Sequence, residues 1–176
     1  MGELKKVIAC MRQLERKPKV ENFQDKLVIQ KTVCLLELLG FNMGYDFSMY
    51  IRGPYSPDLT GDLYKYRSQV ENLRTDYAIS DKEKSLVAKV CATSKGLEPA
   101  LLEIMATYAF LVIRCSQSNK DATVELKRIK PFYSEAKIAV GISRAKQLFP
   151  PTEAEVERMK AEFRDLEDAS VSDNKF

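Results

Sequence analysis

The chain has 176 residues, carries 28 Lys and Arg against 25 Asp and Glu for a net charge of +3, and is 45% hydrophobic. That length and composition suit a single packed domain with an appendage and argue against wholesale disorder. There is no histidine, so Ser-His-Asp and Cys-His mechanisms, which need an imidazole base, are excluded.

Other chemistry is constrained as well. The longest uncharged apolar run, Ile104 to Ile113, is about half the length a bilayer crossing requires. Lys5, Lys6, Arg12 and Arg16 interrupt the start of the chain, so no secretory leader is expected and a cytoplasmic location is. Cys10, Cys34, Cys91 and Cys115 are scattered without C-x-x-C spacing, and they read as free thiols within apolar helical stripes. No glycine-rich phosphate loop occurs, and no cofactor is implied. Asp58 and Asp62 stand four apart, on one helix face, where a metal-dependent enzyme would use carboxylates; a solvated acidic patch at a helix start is the alternative.

In chain order, Leu4, Val7, Ile8, Met11 and Leu14 space a first helix that ends before Pro18. A second runs from about Gln24 to Leu39, stopped by Gly40. Tyr45 to Arg52 alternates, with Tyr45, Phe47, Met49 and Ile51 on one side, as a half-buried strand does. Arg52-Gly53-Pro54-Tyr55-Ser56 reads as a stiff connector. Ser56 caps the next helix, Pro57 suits its first position, and the apolar spacing carries it to about Arg74. Thr75 to Ile79 favours β structure, and Ser80 to Glu83 is a capping box opening a helix that ends at Gly96. Leu97 to Cys115 is apolar nearly all round, which marks a central buried helix. Asp121 and Ser134 are candidate caps for two more helices, and Pro150-Pro151 is the one clear break.

The expectation is a mainly α fold with a small β element: a winged-helix-like N-terminal unit over residues 1–80, packed on a helical C-terminal half, together forming one domain over 1–150. Residues 151–169 form an acidic amphipathic helix with Val156, Met159, Phe163 and Leu166 as an association seam. Residues 170–176 are expected to be a flexible tail.

Two blocks, "FQDKLVIQKTVCLLELLG" and "YDFSMYIRGPYSPDLTGDLY", resemble the small bacterial and archaeal YwgA-like proteins and, more distantly, the SocA-like or Panacea antitoxin domain. The matching positions are Lys26, Leu27, Gln30, Lys31, Tyr45, Phe47, Tyr50, Gly53, Pro54, Tyr55, Ser56 and Leu59. A looser echo lies in Glu125 to Ala145, and the segment after Pro151 has no counterpart. The resemblance implies regulation or toxin neutralisation rather than a reaction.

Two function classes follow, with the enzyme a remote third. In the first, a non-enzymatic antitoxin-like or adaptor protein binds a protein partner, such as a cognate toxin, or itself, through Tyr50, Arg52, Gly53, Pro54, Tyr55, Ser56 and Tyr64. In the second, a winged-helix transcriptional regulator binds DNA through Lys26, Lys31, Lys65, Arg67, Lys127, Arg128 and Lys130. Residues 1–151 carry 24 Lys and Arg against 17 Asp and Glu, which favours the second class. Asp58 and Asp62 on the would-be recognition helix oppose it.

Overall fold

A computed structural model describes residues 2–94, 98–153, 156–157, 160–161 and 164. Its centre is α6 (Pro99–Ile113), whose side chains from Leu102 to Leu111 are all buried. A helix apolar around its whole circumference can be satisfied only by neighbours on every side. They are α2 (Phe23–Leu38) and α8 (Glu135–Leu148), its most extensive partners, with α7 (Asn119–Ile129) and a small sheet beside them. α1 (Leu4–Gln13) and α5 (Asp81–Ser94) complete the body. Gly141 of α8 lies so close to α6 that a Cβ there would sit 2.4 Å from the Ile104 side chain. The core is thus mainly helical, with a small two-stranded antiparallel sheet, and no described helix is long and apolar enough to cross a membrane.

Local chemistry sets the helix ends. Asn22 accepts from the Asp25 amide at 3.1 Å to start α2. Gly40, at φ +88°, ends it, with the Gly40 and Phe41 amides returning to the carbonyls of Glu37 and Leu36. Ser80 and Glu83 exchange the two bonds of a capping box, and Ser134 caps α8. The cap of α7 is Ser118 rather than Asp121, whose amide donates to the Ser118 hydroxyl.

The β element differs from the one expected. β1 is only Ser48–Tyr50, and its partner is β2, Gly53–Tyr55, the stretch that reads as a connector. Thr75 to Ile79 forms no strand; the Thr75 hydroxyl donates to the Lys5 carbonyl instead and lays this stretch along α1. The single helix expected from Pro57 to Arg74 is two, α3 (Pro57–Lys65) and α4 (Arg67–Glu71), separated at Tyr66, which leaves helical geometry at ψ 29°. The small β element expected from Tyr45 to Arg52 and Thr75 to Ile79, flanking α3, is therefore a hairpin that precedes it, and among the described residues no strand follows α3.

Burial sorts the cysteines. Cys10 and Cys34 are buried, their thiols pushed up to about 12 by desolvation, whereas Cys91 is half-buried and Cys115 is exposed beyond α6. The expectation of four core thiols therefore holds for two. Titrated with Ellman's reagent at pH 8, Cys115 of the folded protein should form a mixed disulfide quickly and Cys91 slowly, each liberating one equivalent of thionitrobenzoate. The other two should react only in denaturant.

Candidate functional site

The β1–β2 hairpin is held from below by side chains, because two three-residue strands are too short to hold themselves. Gln30 of α2 clamps its exit: its amide nitrogen donates to the Ser56 carbonyl and the Thr60 hydroxyl, both at 2.9 Å, and its oxygen accepts the Ser56 amide at 3.0 Å. One residue on, the Lys31 ammonium donates to the Pro54 carbonyl at 2.7 Å. From the other side Lys130, at the end of α7, reaches the Ile51 carbonyl at 3.2 Å and pairs with Glu103 of α6 at 2.5 Å. Lys31, Glu103 and Lys130 are all buried. Arg52, largely exposed, completes the group with Nη1 3.8 Å from the second Glu103 oxygen.

One carboxylate thus pairs with two cations, Lys130 and Arg52, and acts on Lys31 by charge alone. Burial pushes the Lys31 amine down to about 8, helped by Lys130 and Arg52 and opposed by Glu103. Among the described residues Lys31 has no hydrogen-bond partner besides Pro54, so two of its three N–H donors are unused.

Above this floor opens a cleft of about 420 Å³. α2 supplies one wall with Phe23, Lys26 and Leu27. The hairpin supplies the second, with Tyr50 set edge-on against Tyr55 at 5.2 Å and Ile51 at the tip. Thr60 and Tyr64 of α3 close the third side. Of the nine exposed large apolar side chains among the described residues, four, Phe23, Tyr50, Ile51 and Tyr64, border this one cleft, and Ile51 is 91% exposed. Such a concentration marks a surface that meets something else. The cationic side chains are braced on the aromatic ones: Arg52 lies over the Phe23 ring at 5.0 Å, and Lys26 lies over Tyr64 at 4.8 Å while donating to its hydroxyl. Among the described residues no carboxylate lines the cleft.

The residues expected to carry protein binding fall together here. Tyr50, Arg52, Gly53, Tyr55 and Tyr64 line the cleft, while Pro54 and Ser56 lie buried behind it as bonding points for Lys31 and Gln30. The basic set expected for DNA does not form one surface. Lys130 is interior and paired with Glu103, and Lys31 is reached only from the cleft floor, so neither joins Lys127 and Arg128 in the one basic face expected. Arg67 is paired with Glu21 and Glu71, Lys127 with Glu135, and Arg128 with Glu125; Lys65 packs on Tyr66. Asp62 accepts from the Tyr45 hydroxyl at 2.9 Å and Asp58 is exposed. Among the described residues no group of three or more acidic or cysteine side chains is placed to hold a metal ion. In the association seam Val156 is helical and half-buried; Met159, Phe163 and Leu166, and the tail 170–176, lie outside the described residues.

Sequence reasoning missed Phe23, Glu103 and Thr107, and it placed Ile51 on the buried side of a strand. A signal existed for Glu103, a lone carboxylate in an apolar helix, since such a group needs a buried cation. Compared with known proteins, the chain matches no family model, no curated protein and no solved structure.

Gly53 is required twice over. Its φ of +81° disfavours any side chain, and a Cβ would stand 2.1 Å from Thr107 Oγ1. Gly53→Ala should cost about 2–4 kcal/mol from backbone strain and overpacking together, lowering Tm by about 5–12 °C. Adding Thr107→Ala should restore the steric part but not the strain, so calorimetry of the double variant should give an intermediate Tm.

Proposed function

We propose that this protein is a non-enzymatic recognition module that captures a segment of a protein partner in the cleft between α2, the hairpin and α3. The observation that carries the reading is the gathering of exposed Phe23, Tyr50, Ile51 and Tyr64 around a 420 Å³ concavity with a braced, buried floor. Exposed aromatic and aliphatic anchors around a preformed pocket are what a binding hot spot requires, and a rigid floor keeps the ordering cost of association low. An antitoxin or an adaptor would use such a surface, in keeping with the resemblance of the blocks Lys26 to Lys31 and Tyr45 to Leu59 to YwgA-like proteins and, more distantly, to the SocA-like domain. The DNA-binding alternative has less support, because most of its cations are interior or already paired with carboxylates and phosphate binding needs free ones.

Ile51→Asp and Tyr64→Ala test the reading, since both side chains are exposed and substitution should move Tm by no more than about 2 °C. In affinity capture from the source cells, at least one protein held near stoichiometry by the wild type should be lost by both variants. Retention of every such protein by both would remove the cleft from the account. Salt-sensitive binding of duplex DNA at low ionic strength, unaffected by these substitutions, would favour the nucleic-acid reading instead.

A further inference from the structure

Every ionisable side chain that lines the cleft as a charged group is a cation: Lys26 and Arg52 at the rim, and Lys31 at the floor. Among the described residues the carboxylate that acts on Lys31 is Glu103, which lies behind the hairpin with Oε1 engaged by Lys130 and Oε2 without a hydrogen-bond partner. Lys31 is 3% exposed, yet it has a single acceptor, the Pro54 carbonyl, among the described residues. A buried ammonium with two unused donors beside an apolar cavity is an incomplete site, because buried charge is stable only when paired and hydrogen-bonded. The missing component is an acceptor, preferably an anionic one.

We propose that the cleft selects acidic segments: a partner protein presents a large apolar side chain to the aromatic walls, and an adjacent Asp or Glu carboxylate to Lys31, Arg52 and Lys26. This rests on the protein-binding reading above and adds the chemistry of the partner. Charge complementarity supplies the argument, since an uncharged segment would cover Lys26, Lys31 and Arg52 with only Glu103 behind them as counter-charge, and a basic one would be repelled. The rim cations, stacked on Phe23 and Tyr64, are positioned in advance, so fewer rotamers are lost on binding.

The same geometry gives the binding a pH signature. The charged and titratable groups around Lys31 are Glu103 from α6, Lys130 from the end of α7, Arg52 from the hairpin and Cys34 from α2, with Lys26, Tyr50, Tyr55 and Tyr64 also lining the cleft. Of these, Lys31 is pushed down to about 8, whereas Cys34 is pushed up to about 12. A bound carboxylate favours the protonated amine, so affinity is greatest below pH 8. It falls as the pH rises through that value, by at most about tenfold per pH unit.

The test is selection of random dodecapeptides displayed on phage against the full chain at pH 7. Selected peptides are then resynthesised with every Asp and Glu replaced by Asn and Gln. The expected winners carry an Asp or Glu within two residues of Phe, Tyr, Leu, Ile or Met, and the amide versions bind at least tenfold more weakly. Lys26→Gln with Arg52→Gln, which keeps the buried Lys31, Glu103 and Lys130, should weaken the acidic peptide at least fivefold more than the amide peptide. The wild-type affinity should also drop between pH 7 and pH 9. Winners without acidic enrichment, or amide versions that bind as well, overturn acid selection while leaving the cleft reading in place if Ile51→Asp still abolishes binding. Peptides that survive both Ile51→Asp and Tyr64→Ala, or a selection that yields no binder, overturn both. Light scattering that finds a dimer dissolved by Ile51→Asp would make a second copy the occupant and overturn the choice of a partner. So would a chain cut after Pro151 that binds the winners more than tenfold tighter, since its own acidic segment would then be the competitor.

Discussion

The buried pair between Glu103 and Lys130 is the contact on which the functional surface depends. Glu103 sits in the first turns of the most buried helix, and its carboxylate must find a cation there or remain costly. Lys130 answers it from the end of α7 and, with its remaining donors, reaches the Ile51 carbonyl at the tip of the hairpin. The core and the hairpin are therefore joined through one ammonium. Lys31 and Gln30 repeat the pattern from α2, each spending polar groups on the backbone of a segment too short to hold its own shape.

This arrangement separates the parts of the molecule by role. The helices bury apolar area and determine whether the chain folds. The polar clamps set where the eight-residue hairpin from Ser48 to Tyr55 stands, and the hairpin determines whether there is a cleft. Buried ionic groups often add little to net stability relative to well-packed apolar residues, so their presence here is better understood as fixing geometry. Removing one partner, however, leaves a buried charge uncompensated, and the effect should be concentrated at the hairpin.

The helical body was legible in the sequence because its signals are local: Gly40 at a helix end, Ser56 before Pro57, the Ser80–Glu83 capping box, and an apolar run with no polar face in α6. The hairpin was not, because it contradicts local preference. Pro54 cannot donate to a ladder and Gly53 weakens a strand, yet both lie in β2 because Lys31 and the close approach to Thr107 hold them there. Thr75 to Ile79 has the opposite history, a β-favouring stretch captured by α1. The cleft's tyrosines were legible because Tyr50, Tyr55 and Tyr64 cluster around the Gly53-Pro54 corner in the sequence, but Phe23 was not, since only the fold brings the start of α2 to the hairpin tip. Lys31 and Lys130 entered a count of surface charge. Charge counts carry no burial, and only the polar Gln30-Lys31-Thr32 step within the otherwise apolar run Leu27 to Leu36 of α2 pointed to an interior use.

Amide hydrogen exchange of Glu103→Gln, resolved by mass spectrometry or NMR, tests most directly the claim that a buried ionic clamp sets the hairpin and hence the cleft. The account predicts that amides from Ser48 to Ser56 lose protection by at least tenfold while those of α2 and α5 keep theirs, because the substitution frees a local unit. Unchanged protection at the hairpin, or a uniform loss across all helices, would contradict it.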